Sequence, residues 1–576
     1  MSFLTCGEDR LILQCTYRQK EIAKSVLGAS WNKLAKHWEY PMSFFCYEDL
    51  ANKFKDLTVD PTLRAKTAGY ISHQKALEEI KHGNFRDEPT YEWPEEYPPM
   101  KHQEVAFYFA RKAKRAALFL DQGLGKTYIM CALMQDFYNR KRNINALVVC
   151  PFSVIENTWV EEIEKFTSLS CVPLVYSTDK NKKIIEKKFK AKKQAKQFNK
   201  DFNIYIVNFE SLRPLESTLR KKEWDYIFVD ESSFIKSPTA ACTDSLIRLG
   251  ENVENKIISS GTPAPLTGYD LWSQFMFLDG GKTLGDNFWH FQGKMGKGFT
   301  FTINRGQPNE RDVTKWTITD RGEKETNRRI YHKTIKYERD EGLDLPPATF
   351  TNLDIEMSSE QKHCCQQMKE EMLTYLKGHP VSAREACSKI MKLRQITSGF
   401  MMKADAGVER IIPFDKNPKL EELDRLVEGI CHHDKLIVWC NFRWEVRTIL
   451  ERYQEFGIVD CYGETPKTAK GQNIKNFRLS DKIKILVANP RSAGYGLNLT
   501  ACHYSVFYSL DYNYERYRQA VDRICRNGQT EPQTIYFLLA KDPSIDYVIK
   551  KNILDKEVKM GQILKNSSPT KLLKEC

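Results

Sequence analysis

The segment Leu118-Phe-Leu-Asp-Gln-Gly-Leu-Gly-Lys-Thr127 constrains the fold more than any other part of the chain. The apolar run Ala116 to Leu120 reads as a strand, a glycine-rich turn follows it, and Tyr128 to Phe137 reads as a helix. Gly123 and Gly125 let the backbone approach closely and turn its N–H groups onto a phosphate. Lys126 can reach the β- and γ-phosphates of a nucleotide, and Thr127 can hold Mg²⁺ through its hydroxyl. The helix N-terminus adds the positive end of its dipole. The full phosphate-loop pattern has glycine where this chain has Leu120. The loop is thus a partial match, and the rest of the sequence has to supply its partners.

Those partners follow in order. Gln103 stands about twenty residues ahead of the loop, where its amide can donate to and accept from adenine at once. Ala146-Leu-Val-Val-Cys-Pro151 and Asn203-Ile-Tyr-Ile-Val-Asn208 read as buried strands alternating with helical segments, the signature of a parallel sheet. Tyr226-Ile-Phe-Val-Asp-Glu231 is another, and it ends in paired acids where an α/β sheet presents its ligand-facing tips. Asp230 there can hold a nucleotide's Mg²⁺, and Glu231 can orient or deprotonate the attacking water. Ile257-Ile-Ser-Ser-Gly-Thr-Pro263 is a further strand with a Ser/Gly/Thr tip. A second α/β alternation begins near Asn417, with strand runs at 435–440, 483–487 and 504–508, and it has no phosphate loop. It carries instead Gln519-Ala-Val-Asp-Arg-Ile-Cys-Arg-Asn-Gly-Gln529, where a helix would put Arg523 and Arg526 on one face. Two guanidinium forks on one face suit a phosphate offered across a cleft; they equally suit ordinary surface salt bridges.

At 576 residues the chain exceeds a single core. Composition shifts divide it into an N-terminal accessory module and linker (1–95), an ATP-binding α/β lobe (96–280), an insertion and helical linker region (281–415), a second α/β lobe (416–555) and a tail (556–576). In the module, the hairpin Gly28 to Pro41 carries Trp31 and Trp38 among Lys33, Lys36 and His37. These tryptophans could stack on unpaired bases or form the core of a small domain. Residues 180–200 carry ten lysines against one glutamate, either a solvated helix face or a contact with a duplex backbone. The net charge of +13 fits a nucleic-acid partner without requiring one. No apolar run reaches the ~20 residues that span a bilayer, and the N-terminus lacks a signal layout. The expectation is an intracellular chain, in the cytoplasm or nucleoid, or the nucleus of a eukaryote, away from membranes. Sixteen cysteines without a Cys-x-x-Cys argue for reduced thiols and no structural zinc.

Taken together, these segments resemble the Swi/Snf-type ATPases of helicase superfamily two, of a compact viral or bacterial type. Gly123–Thr127 looks like motif I, Asp230-Glu231 like motif II, and Ser260-Gly-Thr-Pro263 like motif III, with Leu271-Trp272-Ser273 just after it. Leu345-Pro-Pro347 and Leu393-Arg-Gln-Ile396 resemble words between the family's lobes, Ser492–Leu499 resembles motif V, and Gln519–Gln529 motif VI. The resemblance implies an α/β fold of two RecA-like lobes with ATP in the cleft, plus a small N-terminal α+β module and helical insertions. Lys126, Thr127, Asp230 and Glu231 would come from the first lobe and Arg523 and Arg526 from the second, with Gly496 and Gln529 joining the nucleotide set. Duplex DNA, forked or plain, would lie across both lobes of a monomer. Pro151, Asn208, Trp272, Asn441, Phe442 and Asn498 are the expected contacts. Three departures stand out: Ser232-Ser233 after the acid pair, Tyr512-Asn-Tyr514, and Ala493 in motif V. The first bears on how ATP and DNA are coupled. The hairpin Gly28–Pro41 is similar to the HARP-type module of annealing helicases, which implies that residues 1–60 bind branched or single-stranded DNA. The expected function is an ATP-driven duplex-DNA translocase that remodels forks, annealed strands or protein–DNA complexes. A strand-separating DNA or RNA helicase and an ATP-gated scaffold are the alternatives.

Overall fold

The computed structural model describes residues 2–7, 9–85, 89–174, 202–264, 267–303, 311–339, 348–378, 383–405, 408–493, 499, 501–525, 529, 531–541 and 544–563. Gly496, Asn498, Arg526, the lysine run at 180–200 and the Leu345–Pro347 segment lie outside them. The described residues form two compact units. The first holds residues up to 299 with 316–339 and 560–563; the second holds 300–315 and 348–559.

The first unit is built on a seven-stranded sheet whose order is Thr334–Tyr337, Arg115–Leu120, Asn255–Ser259, Tyr226–Asp230, Ala146–Cys150, Ile204–Asn208 and Cys171–Leu174. Every pairing is parallel. Central strands such as Ala146–Cys150 and Tyr226–Asp230 are buried along their whole length, which is why they read as unbroken apolar runs instead of alternating ones. The second unit has a six-stranded parallel sheet, ordered Ala348–Ile355, Gln533–Ala540, Tyr504–Phe507, Leu436–Trp439, Ile485–Ala488 and Ile458–Cys461. Its core joins Leu423, Val438, Ile449, Val487 and Val506. Both sheets are flanked by helices.

Each sheet also takes a strand from the segment expected to be an insertion between the lobes. Thr334–Tyr337 pairs with Arg115–Leu120, so the first sheet extends past the boundary expected at 280. Ala348–Ile355 pairs with Gln533–Ala540, so the second begins before 416.

The N-terminal module is a five-stranded sheet, Ser30–Asn32, His37–Pro41, Arg10–Gln14, Ser2–Cys6 and Leu57–Val59, packed on helix Phe44–Lys53. It is antiparallel except where Leu57–Val59 joins the edge. The hairpin expected at 28–41 is present, and Trp31 sits opposite Trp38. Trp38 is in the module core, while Trp31, on the outermost strand, is 45% exposed. A long helix, Pro61–Lys81, follows. Salt bridges fix the module to the 282–332 segment: Arg328 to Glu48 at 2.6 Å, Arg10 to Asp286 at 2.9 Å, and Arg329 to Asp49. Among the described residues no helix is long and apolar enough to cross a membrane, and no group of three or more His, Cys, Asp or Glu is placed to hold a metal ion.

Candidate nucleotide site and the strands that carry it

Strand order brings three motifs to one edge. Asn255–Ser259 lies between Arg115–Leu120 and Tyr226–Asp230, with Leu118 opposite Ser259 and Ser259 opposite Asp230. Adjacent strands lie ~4.8 Å apart, so the acid pair stands two strands, roughly 10 Å, from the base of the glycine turn. The strand between them carries Ser259 and Ser260 at its tip.

The turn has the conformation that its glycines permit. Gly123 and Gly125 have φ of +88° and +76°, and Gly125 caps helix Lys126–Lys141. A Cβ on Gly125 would also stand 2.3 Å from the Gln103 amide nitrogen, so a side chain there would strain the backbone and push the Gln103 amide aside. Gln103 holds the turn directly. Its Nε2 donates to the Leu124 carbonyl at 3.3 Å, and its Oε1 accepts from the Met100 N–H at 2.9 Å. One amide hydrogen and one lone pair are left over for a base. His102, which the sequence did not single out, meets the same Leu124 carbonyl at 3.0 Å through Nε2. A carbonyl only accepts, so that nitrogen carries the proton; burial lowers the imidazole pKa and favours the neutral ring. Lys126 donates to the Leu120 and Asp121 carbonyls at 2.8 and 3.2 Å, parked on the loop backbone. Leu120 is a buried strand residue, and only its carbonyl faces the site. A side chain is therefore tolerated where the usual pattern has glycine. Thr127, half-buried, is the second residue of the helix.

At the acid pair, Asp230 Oδ1 accepts from the Ser259 hydroxyl at 2.9 Å and the Glu231 N–H at 3.1 Å. Its Oδ2 accepts from the Trp159 indole N–H at 3.1 Å. Three of roughly four lone-pair directions are used, which leaves room for one further ligand. Glu231 faces the Ser260 hydroxyl at 3.5 Å. The Ser260–Thr262 turn packs on the glycine turn: Ser260 N–H donates to the Leu118 carbonyl at 3.3 Å, and Gly261 abuts Gln122. Ser232, the departure noted above, is buried and donates to Gln274 Oε1 at 2.6 Å. Gln274 Nε2 in turn donates to the Pro263 and Asp270 carbonyls at 2.6 and 2.8 Å. The acid pair and the Ser-Gly-Thr-Pro turn are thus tied through one amide.

In the second unit Arg523 is buried at the end of helix Tyr514–Asp522, and its carbonyl accepts the Leu499 N–H at 3.3 Å. Gln529 donates through Nε2 to the Cys502 and Ile524 carbonyls at 3.0 and 3.3 Å. It braces the backbone with the amide of a side chain expected in the nucleotide set.

The SNF2-related domain family matches residues 100–400, and the helicase conserved C-terminal domain family matches residues 418–528. The chain belongs to the SNF2-related family. It is accordingly an ATP-hydrolysing enzyme of the helicase and translocase class, and ATP is its nucleotide. A putative protein p41 of Acyrthosiphon pisum secondary endosymbiont phage 1 is 23% identical over 470 residues, covering 79% of this chain and 95% of that one. The ISWI chromatin-remodeling complex ATPase ISW1 of Saccharomyces cerevisiae is 25% identical over 520 residues, 85% of this chain and 42% of that one. An uncharacterized ATP-dependent helicase of Mycoplasma genitalium is 24% identical over 432 residues, 73% and 38%. The SNF2-related chain therefore spans nearly all of the phage protein and about two fifths of these cellular relatives. A solved SWI2/SNF2 ATPase core from Sulfolobus solfataricus in complex with dsDNA is 21% identical, with a TM-score of 0.37 over 83% of this chain and 99% of that one.

Several residues expected to touch DNA in this SNF2-related chain have other work. Trp272 is in the first unit's core, donating to the Gly285 carbonyl at 3.0 Å and packing edge-on to Phe288, and is only 7% exposed. Asn208 is buried at the start of helix Phe209–Leu219 and satisfied by Glu210 and Ser211. Pro151 is buried, and the exposed group at its turn is Phe152. Asn441 turns its amide onto the Ser509 carbonyl at 2.8 Å, and Phe442 packs between Phe400 and the Arg394 guanidinium. Trp272, Asn208 and Pro151 are buried in the unit that carries them, while Asn441 and Phe442 stay half-exposed.

Proposed function

We propose that the chain is an ATP-driven duplex-DNA translocase that remodels forks, annealed strands or protein–DNA complexes. The observation that carries the reading is the run of three adjacent strand tips, glycine turn, Ser259-Ser260 and Asp230-Glu231, cross-tied by hydrogen bonds. Such an edge offers backbone donors for a triphosphate, a mobile ammonium and two carboxylates within one site. In this reading Lys126 leaves the Leu120 and Asp121 carbonyls for the phosphates, and Glu231 orients the attacking water and takes its proton. Thr127 and Asp230 are hard oxygen donors suited to Mg²⁺, which would offset charge developing on the phosphates. Arg523 and Arg526 of the second unit serve as fingers toward the nucleotide, and duplex DNA runs along both units. The chromatin-remodeling relative in yeast supports duplex DNA as the track. The test is steady-state ATPase at fixed salt on forked DNA, blunt duplex, single-stranded DNA and RNA. Stimulation by duplex is expected. Stimulation by single strands alone would make it a strand-separating helicase, and no stimulation would make it a scaffold.

A further inference from the structure

Away from the strand tips, a cavity of about 590 Å³ opens between the module helix Pro61–Lys81 and the two helices that serve the nucleotide turn, Lys101–Ala113 and Lys126–Lys141. Its lining is cationic. Among the described residues that line it are Lys75, Arg111, Lys112 and Arg140, with Glu79 as the acid. Behind the wall, buried Asp136 takes both arginines on one oxygen, Arg111 Nε and Arg140 Nε each at 3.0 Å. The same wall carries a flat aromatic surface: Phe85 and Tyr108 stack with centroids 4.1 Å apart and an interplanar angle of 15°, both rings half-buried.

Cations beside stacked rings with open surface suit a ligand that has both phosphate and a planar base. An acidic peptide would satisfy the cations and leave the rings unused. Lys75 and Lys112 stand exposed at the rim, so a chain can enter and leave, which a sealed mononucleotide pocket would not require. We propose that this cavity is a second nucleic-acid site, separate from the nucleotide turn, that takes an unpaired strand, with a base on the Phe85–Tyr108 pair and phosphates on Lys75 and Lys112. Its position gives it a route to the motor. The Gln103 helix has Gln103 in the nucleotide site and Arg111 in the cavity, about 12 Å apart at 1.5 Å per residue. The Lys126 helix likewise ends at the cavity with Arg140. Two helices thus have one end in each site.

The test uses the full chain and an oligothymidylate of about 12 nucleotides carrying 5-iodouridine, within the span a single-strand site covers. Irradiation followed by peptide mapping should place the cross-link on Phe85 or Tyr108. In the Lys75→Gln/Lys112→Gln variant, single-strand affinity should fall about tenfold, and the log–log salt slope should drop by roughly 1.4, two phosphates at ~0.7 each. Melting temperature, duplex affinity and ATPase without DNA should hold. The site is overturned by unchanged single-strand affinity and slope, by an equal loss on duplex, or by a cross-link that maps elsewhere. It is equally overturned if iodo-dUMP labels the rings and the strand does not, or if polyglutamate displaces the strand as well as unlabelled oligothymidylate does. Failure of the motor reading would appear instead as absent duplex stimulation in both proteins.

Discussion

Glu231 holds a backbone conformation that a glutamate adopts only under constraint, with φ +54° and ψ +58°. Strain of this kind costs about 1–3 kcal/mol and persists where surrounding structure imposes it. Here the Asp230 carboxylate takes the Glu231 N–H, and the Glu231 carbonyl takes the Phe234 N–H at 3.0 Å. The result aims the carboxylate at the Ser260 hydroxyl. Glu231→Gln keeps the shape and removes the base; steady-state assays should find ATP turnover abolished and DNA binding retained. Lys126→Ala should behave likewise, and full turnover in either would refute the nucleotide assignment. Ser232 supports a different expectation. Removing its hydroxyl strands the buried Gln274 carbonyl oxygen, a loss worth about 1–3 kcal/mol. Ser232→Ala should therefore lower the melting temperature. If the Gln274 tie relays nucleotide state, the variant should also lower the ratio of DNA-stimulated to basal ATPase. A normal ratio in a destabilised variant would make the tie purely structural.

At the scale of elements, the sequence was most legible where burial is complete. Ala146–Cys150, Ile204–Asn208 and Tyr226–Asp230 are apolar throughout because both faces are covered, and their tips announced the site. Thr334–Tyr337 was not legible: four residues including Lys336 carry no period, and only their pairing with Ala117 to Leu120 makes them a strand. The Pro61–Lys81 helix could have been read, since Asp60 caps it at the Thr62 and Leu63 N–H groups and proline opens it. In the candidate site, residue type singled out Lys126 and Asp230, whereas the hydrogen bonds of Trp272 to the Gly285 carbonyl and of Asn441 to the Ser509 carbonyl depend on packing that no motif records. The same helix ends in a buried amine. Lys81 donates to the Tyr331 carbonyl at 2.6 Å with its nitrogen 3.4 Å from that ring's centroid, and burial pulls its pKa down to about 7. Between about 7 and the ordinary 10.5 the unfolded chain binds the extra proton, so this group makes stability rise with pH across that window and stay level below it. Lys256, also drawn to about 7 by burial, acts in the same direction. Lys81→Met should raise the melting temperature at neutral pH and flatten, without abolishing, its rise toward pH 10. An unchanged slope by calorimetry would show that Lys81 does not titrate in this range.

Across the whole molecule, two parallel sheets share one chain, yet the second has no Gly-Lys-Thr phosphate-loop sequence, so its chemistry must lie in what it can lend. Within that unit, the Leu499 N–H bonded to the Arg523 carbonyl and the Gln529 amide bonded to the Cys502 and Ile524 carbonyls lock the motif VI segment to the end of motif V. That support fixes the Arg523 backbone independently of its guanidinium. Arg523→Ala should then slow DNA-stimulated hydrolysis by roughly 10³-fold, the range for a lost arginine finger. Arg523→Lys keeps the charge but not the planar fork, and should recover only part of the rate. Stopped-flow phosphate release with saturating duplex measures both. A loss below about tenfold, accompanied by a fall in melting temperature, would assign Arg523 to holding the second sheet together and leave the first unit to hydrolyse ATP unaided.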